Sequence, residues 1–151
     1  ASQGRTVFVK NCTACHRIGS DGVVVAPDIS DSRTRQPAAL LTDILDPNRA
    51  IDNNYFSFTV LTTSGQTLTG IIETETETSI TLKQPEGKTV SILRSEIEEL
   101  KSDGVSLMPV GLEKNITKQQ MADLISYIKN WRYLEDPSIP LQNDPVEKPG
   151  L

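Results

Sequence analysis

The side chains best suited to bind a metal or a cofactor are concentrated in one short stretch of this chain. Cys12, Cys15 and His16 form a C-x-x-C-H motif, and they include both cysteines and the only histidine of the 151 residues. Thiols and imidazole are the soft side-chain ligands, and both also serve as nucleophiles. Their spacing predicts that residues 12–16 carry the chemistry of the protein.

Four interpretations of the motif differ in how many of its three side chains they use. A disulfide between Cys12 and Cys15 closes a small loop and leaves His16 without a role. A thioredoxin-like dithiol needs a βαβ context, which no preceding strand provides. Zinc needs four ligands, so a carboxylate or water would have to complete the set. Covalent attachment of one c-type haem uses both thiols as thioethers and His16 as an axial iron ligand, and we favour it.

A second axial ligand is predicted at Met108. Met121, the other methionine, has the spacing of the apolar face of a helix and is expected in the core. Met108 lies in the loop sequence SLMPVGL, where Pro109 fixes the backbone that follows it. A His/Met pair raises the reduction potential and leaves no open iron position, which predicts an electron carrier rather than an enzyme. The alternative is a peroxidase-like haem enzyme or gas sensor with a labile or open sixth position.

Composition and charge restrict the partners and the compartment. The net charge of −5 argues against binding to nucleic acid, which requires a basic face. No apolar run approaches the roughly 20 residues of a membrane-spanning helix. Haem of this type is attached to exported chains, so we expect a periplasmic or exported protein. Its partners would be redox proteins, with a dehydrogenase as donor and a cytochrome or oxidase as acceptor.

Helices are predicted on both sides of a β-rich segment. Hydrophobic spacing predicts helices over 1–11 and 36–46, and a capping box of Thr117 and Gln120 opens a third. Period-two alternation predicts about four antiparallel strands, at 56–63, 67–74, 79–84 and 88–94. Residues 102–115 are expected to form a loop. The Pro-rich residues 135–151 are expected to form an extended tail or linker.

Around the motif, the sequence resembles class I cytochrome c. Gly4 and Phe8 precede Cys12 by eight and four residues, as in the N-terminal helix of that family. Leu124 and Tyr127 match the partner positions on its last helix. The stretches ILDPNRAIDNNY and SLMPVGL bring it closest to the haem-binding cytochrome c domain of planctomycete and verrucomicrobial proteins. In those exported proteins the domain often accompanies sugar-dehydrogenase-like domains.

This resemblance implies a fold and a set of binding residues. The fold would be a mainly α cytochrome c fold, with three to five helices around a covalently bound haem, in residues 1–134. A small antiparallel sheet at about 56–94 would be an insertion that covers the haem or the helices, or else a docking surface. One of Arg33, Arg35 and Arg49 is a candidate partner of a haem propionate. Pro27 would accept a hydrogen bond from His16 Nδ1–H, which completes the predicted binding residues Cys12, Cys15, His16, Pro27 and Met108.

Overall fold

The computed structural model describes residues 1–138 and contains a helical part and a β-sheet. The helical part has three α-helices and a short antiparallel hairpin that directly follows the C-x-x-C-H motif. The helices are α1 (Ser2–Asn11), α2 (Pro37–Leu45) and α3 (Lys118–Glu135), and the hairpin strands are β1 (Arg17–Ile18) and β2 (Asp21–Gly22). Thr117 and Gln120 form the predicted capping box at the start of α3. The three helices lie close to their predicted positions.

Helices α1 and α3 cross at very short distance. A Cβ atom on Gly4 would lie 1.8 Å from the backbone oxygen of Asp123, so only glycine permits this approach. Four residues further on, the rings of Phe8 and Tyr127 lie 5.5 Å apart. The crossing forms the centre of the helical core, whose buried members are Val7, Phe8, Ile18, Leu40, Ile116, Met121, Leu124, Tyr127, Ile128 and Trp131.

The larger sheet has five antiparallel strands in the order β6-β5-β4-β3-β7. The strands are β3 (Phe56–Thr62), β4 (Thr67–Glu75), β5 (Ser79–Gln84), β6 (Lys88–Leu93) and β7 (Ile97–Ser106). The first four run in sequence order as a meander, within one residue of their predicted bounds. The chain then returns to the far side of β3, where β7 pairs with it.

A second hydrophobic core belongs to this sheet alone. Its buried members are Val60, Ile80, Leu82 and Ile92, and half-buried apolar side chains from β4, β6 and β7 pack around them. Because both edge strands contribute to one cluster, this core extends across the whole sheet. The described residues therefore contain two separate hydrophobic clusters.

The expectation of a mainly α fold with a small inserted sheet is wrong. The helices have 10, 9 and 18 residues, whereas the strands of the sheet have 7, 9, 6, 6 and 10. In the larger sheet the unpredicted strand is β7, part of which lies in the segment 102–115 expected to form a loop. It is an edge strand with mostly exposed polar side chains, including Glu98, Glu99 and Lys101, so it lacks the alternation that marks a half-buried strand.

The C-terminal prediction falls mostly beyond the described part of the chain. Glu135, the expected first residue of the tail, is the last residue of α3. Residues 139–151 lie outside the described residues. Within 1–138, no helix combines the length and the apolar character needed to cross a membrane.

Candidate functional site

The C-x-x-C-H motif forms a tight turn at the C-terminal end of α1. Cys12 N–H closes the helix on Phe8 O at 2.8 Å, and the N–H groups of Cys15 and His16 both donate to Cys12 O. Both cysteines are free thiols, so the structure contains no disulfide between them. Burial, followed by the proximity of Cys15, raises the pKa of Cys12 to about 11. Burial also raises the pKa of Cys15, and both thiols are therefore protonated at neutral pH.

His16 is held in the orientation and tautomer that suit a metal ligand. Its Nδ1 lies 2.8 Å from Pro27 O. Because a carbonyl can only accept, the proton lies on Nδ1 and the lone pair on Nε2. Burial lowers the pKa of His16, against a smaller opposing effect of the Pro27 hydrogen bond, and keeps the ring neutral. A neutral imidazole with its Nδ1–H anchored to a carbonyl is the form in which histidine binds iron through Nε2.

The hydrogen bond from His16 is flanked by contacts between the neighbouring residues. Arg17 Nε donates to Asp28 Oδ2 at 2.8 Å, and Ile29 N–H donates to Arg17 O at 3.0 Å. Asp28 also accepts from the N–H and the hydroxyl of Ser30. These bonds, those from Ser30 first, lower the pKa of Asp28, so it is ionised at neutral pH. Sequence reasoning missed Arg17 and Asp28, although both adjoin predicted site residues.

Gly22 permits the hairpin to fold back over His16. Its φ is +91°, and a Cβ atom at this position would lie 2.1 Å from His16 O. Only glycine tolerates both the conformation and the approach. Beside it, Asp21 accepts a bidentate contact from Arg5 and a hydrogen bond from Tyr127 Oη at 2.9 Å. The segment after the motif is thus tied to both α1 and α3.

A cavity of about 590 Å³ brings His16, Pro27 and Met108 together. The helical part contributes most of its wall, and the sheet contributes Ile71 and residues 106–108. Ile71 and Ile72 are neighbours on β4 and face opposite sides, so Ile72 joins the sheet core while Ile71 faces the cavity. The volume lies within the range of cofactor pockets. The side chains of Cys12 and Cys15 do not line it, although Cys15 O accepts from the N–H of the lining residue Ala26.

The methionines occupy the two environments that their spacing predicted. Met108 is half-buried in the cavity wall, and its N–H donates to Ser106 Oγ at 3.1 Å. Met121 is 6% exposed and lies in the helical core. Of the two thioethers, only that of Met108 shares the cavity with His16.

Three arginines were candidates for a propionate contact, and the structure distinguishes them. Arg35 lines the cavity and pairs with Asp43. Arg49 also lines the cavity. Arg33 follows the lining residue Ser32, and its Nε is a buried nitrogen without a hydrogen-bond partner within 1–138. Arg33 itself does not line the cavity, so Arg35 and Arg49 are the candidates that reach it, beside the lining carboxylates Asp28, Asp43, Asp46 and Asp52.

The remaining interpretations of the motif do not match its surroundings. The motif follows helix α1 rather than the strand of a βαβ unit. In the described part of the chain, no three or more His, Cys, Asp or Glu side chains are grouped to hold a metal ion. The cavity, the neutral His16 and the thioether of Met108 instead fit a haem. The site therefore defines the chain as a candidate haem-binding protein.

Comparison with known families supports this class. Residues 1–75, just under half of the chain, match the family model described as Cytochrome c. The match includes Cys12, Cys15, His16 and Pro27 and ends at the last residue of β4, before Met108. It supports a cytochrome c family for this chain, and such a domain indicates haem iron and electron transport. A search of curated proteins found no match.

Proposed function

We propose that this chain carries single electrons on one covalently attached haem c. Cys12 and Cys15 would form the thioethers, and His16 and Met108 would be the axial ligands. The observation that carries the proposal is that His16, with its Nε2 lone pair free, and Met108 line one cavity. When bound, the haem would supply a one-electron couple at its iron.

The protein's own residues would orient the ligands and keep water away. Pro27 O fixes the ring of His16, and Ser106 Oγ holds the backbone of Met108. Ile71, Ala26 and Ile29 provide apolar wall, which lowers the local dielectric. With the thioether of Met108 as the second axial ligand, the iron would have no open position for substrate, so the domain itself would be a carrier rather than an enzyme.

The partners and the compartment follow from the same proposal. Attachment of haem to both thiols implies a periplasmic or exported chain. The donor would be an exported dehydrogenase, as a separate protein or a neighbouring domain, and the acceptor a cytochrome or oxidase. The resemblance to the planctomycete and verrucomicrobial domain supports this arrangement. The exposed acidic balance of the chain, −5 overall, suits a basic partner surface.

Mass spectrometry of the chain expressed with an export signal tests the attachment. We expect a mass increase of one haem that resists denaturation and acid–acetone extraction. Cys12→Ser and Cys15→Ser should each leave a single thioether, and the double variant should lose the haem on extraction. An unchanged polypeptide mass in a fully exported wild-type sample would contradict the proposal.

Carbon monoxide tests the ligation and separates a carrier from a haem enzyme or sensor. The reduced wild-type protein should bind carbon monoxide weakly at neutral pH, whereas Met108→Ala should bind it readily and show a lower reduction potential. Met121→Leu is the matched control, because it changes the other methionine without removing apolar volume from the core. Rapid, stoichiometric binding by the wild type would favour the open-site alternative instead.

A further inference from the structure

The turn between β5 and β6 reaches out of the sheet and contacts the C-x-x-C-H motif. Glu86 N–H donates to Ala14 O at 2.7 Å, and Ala14 lies between the two cysteines. Gly87 lies beside Val23: a Cβ atom built on Gly87 would be 3.6 Å from Val23 Cγ1. Val23 N–H in turn donates to Thr13 O. The turn thus touches both the motif and the segment that supports it.

The backbone of this turn is strained where it makes the contact. Glu86 has φ = +66° and is the single non-glycine residue with positive φ within 1–138. Glutamate has no side-chain reason to adopt this region, and its carboxylate makes only an exposed pair with Lys88. A conformation of this kind persists when surrounding contacts enforce it, and such residues cluster at functional sites.

The opposite side of the same sheet leads to Met108. The residue Met108 follows β7, and the strand order places β7 three strand positions from β5. Ser106 N–H, at the end of β7, donates to Asn48 Oδ1 at 2.8 Å, which ties this side to the helical part as well. A continuous hydrogen-bonded sheet therefore connects the loop that carries His16 with the loop that carries Met108.

From these contacts we infer that the 85–87 turn is a positioning element for axial ligation, with the Glu86 amide as its main contact. By holding the motif at Ala14, the turn lets the sheet set the separation between His16 and Met108 and keep the cavity closed. The inference rests on the proposed His/Met ligation and assigns to the sheet a role in maintaining it. The sheet acts through these two loops, without Glu86 itself touching the cavity.

A shorter turn tests this inference in the full-length, haem-loaded chain. Gln84 and Lys88 are paired across the hairpin, so a two-residue Asn-Gly turn in place of residues 85–87 keeps the hairpin and removes its reach toward Ala14. Glu86→Gly is the matched control. It removes the same carboxylate and the strain but keeps the N–H group and accepts the positive φ.

Carbon monoxide affinity of the reduced protein is the main measurement. We expect the short-turn variant to bind carbon monoxide about tenfold more tightly than the wild type. This is the change expected when the state with Met108 as ligand loses the stabilisation of one well-formed hydrogen bond. The reduction potential of the short-turn variant should fall, and Glu86→Gly should match the wild type in both respects. Far-ultraviolet circular dichroism should show the same strand content in all three proteins.

Each other outcome contradicts a specific statement. If the wild type and the short-turn variant bind carbon monoxide equally weakly, the positioning role is overturned and the proposed function stays intact. An equal effect of both variants overturns the role of the backbone contact and points to the carboxylate. A wild type that binds carbon monoxide rapidly overturns the His/Met ligation and with it this inference. Hydrogen exchange gives a readout independent of iron, because the Glu86 amide should be protected in the wild type and in haem-free chain alike.

Discussion

The helical part and the sheet differ in what their cores are made of and in what they contribute to the cavity. The helical core contains three aromatic side chains, Phe8, Tyr127 and Trp131, and each of the last two also makes a hydrogen bond to the segment that follows the motif. The fully buried members of the sheet core are all aliphatic. The helical part therefore holds the segment that follows the motif in place by hydrogen bonds, while the sheet forms a separately packed wall of the cavity.

The division explains where the chemical groups lie. Cys12, Cys15, His16 and Pro27 all belong to the helical part, where close packing and hydrogen bonds hold each of them. The sheet adds Ile71 to the cavity, and Met108 lies two residues beyond the end of its last strand, β7. If His16 and Met108 are the axial pair, as proposed, their relative position depends on the contacts that join two separately packed regions.

The largest effect is expected from a substitution that disrupts the sheet core and leaves the helical core intact. Leu82 is fully buried in the sheet, and Leu82→Ala should cost about 2–5 kcal/mol of unfolding free energy through lost burial and a cavity. Urea unfolding should be followed by far-ultraviolet circular dichroism and by the fluorescence of Trp131, the only tryptophan. The circular dichroism midpoint should fall well below the fluorescence midpoint.

Two control variants sharpen this comparison. Leu93→Ala, at a site 53% exposed on the neighbouring strand, should change stability by less than about 0.5 kcal/mol. Leu124→Ala should lower the fluorescence midpoint first, because Leu124 lies in the helical core. Identical midpoints from both probes in Leu82→Ala would show that the two cores unfold as one unit.

A smaller effect depends on pH and is confined to the helical part. The hydrogen bond from Arg5, supported by the one from Tyr127, lowers the pKa of Asp21 below its usual value. The resulting stabilisation is complete above the pKa of the unfolded chain, near 3.9, and is lost as pH falls through the lower folded pKa. Asp21→Asn should therefore destabilise the protein more at pH 7 than at pH 3, because the neutral amide can still accept from Tyr127 but cannot form the charged contact with Arg5.

Trp131 fluorescence during urea unfolding at both pH values measures this difference. The sheet provides the matched control, Asp103→Asn, because Asp103 accepts hydrogen bonds from Ser57 and Thr59 and has no contact with α1 or α3 in that network. This variant should leave the fluorescence midpoint unchanged. Equal loss in Asp21→Asn at pH 7 and pH 3 would contradict the assigned ionised state.

The smallest changes in stability are expected from substitutions of two exposed arginines, one in each region. Arg17 pairs with Asp28 beside His16, whereas Arg94 pairs with Glu75 in the sheet. Arg17→Gln and Arg94→Gln should each cost only about 0.2–1 kcal/mol, as exposed ion pairs do. Only Arg17→Gln should shift the reduction potential and the nuclear magnetic resonance signal of the His16 Nδ1 proton, because it removes the Arg17–Asp28 contact that flanks the His16–Pro27 hydrogen bond. Equal shifts in both variants would contradict a specific effect of the Arg17–Asp28 pair on the His16–Pro27 hydrogen bond.

Local patterns predicted most of the elements correctly, because the information lies within a few residues. The capping box at Thr117 and the period-two runs of the first four strands depend on neighbours in sequence. The strand β7 could not be found in this way, since it is an exposed edge strand whose pairing with β3 joins residues about 40 positions apart. Without it the sheet seemed a minor insertion, and the fold class was assigned wrongly.

The sequence by itself determined where a haem is expected to bind, because the C-x-x-C-H spacing and the scarcity of other soft ligands are properties of the chain alone. It also led to the prediction that Met108 is the second ligand, since a loop methionine beside a proline differs from one on a helix face. The tertiary structure decided that His16 and Met108 share a cavity, that Arg17 and Asp28 flank the His16 hydrogen bond, and that a sheet with its own core reaches the motif through Glu86. These are contacts between residues far apart in sequence, and only the packing of the folded chain brings them together.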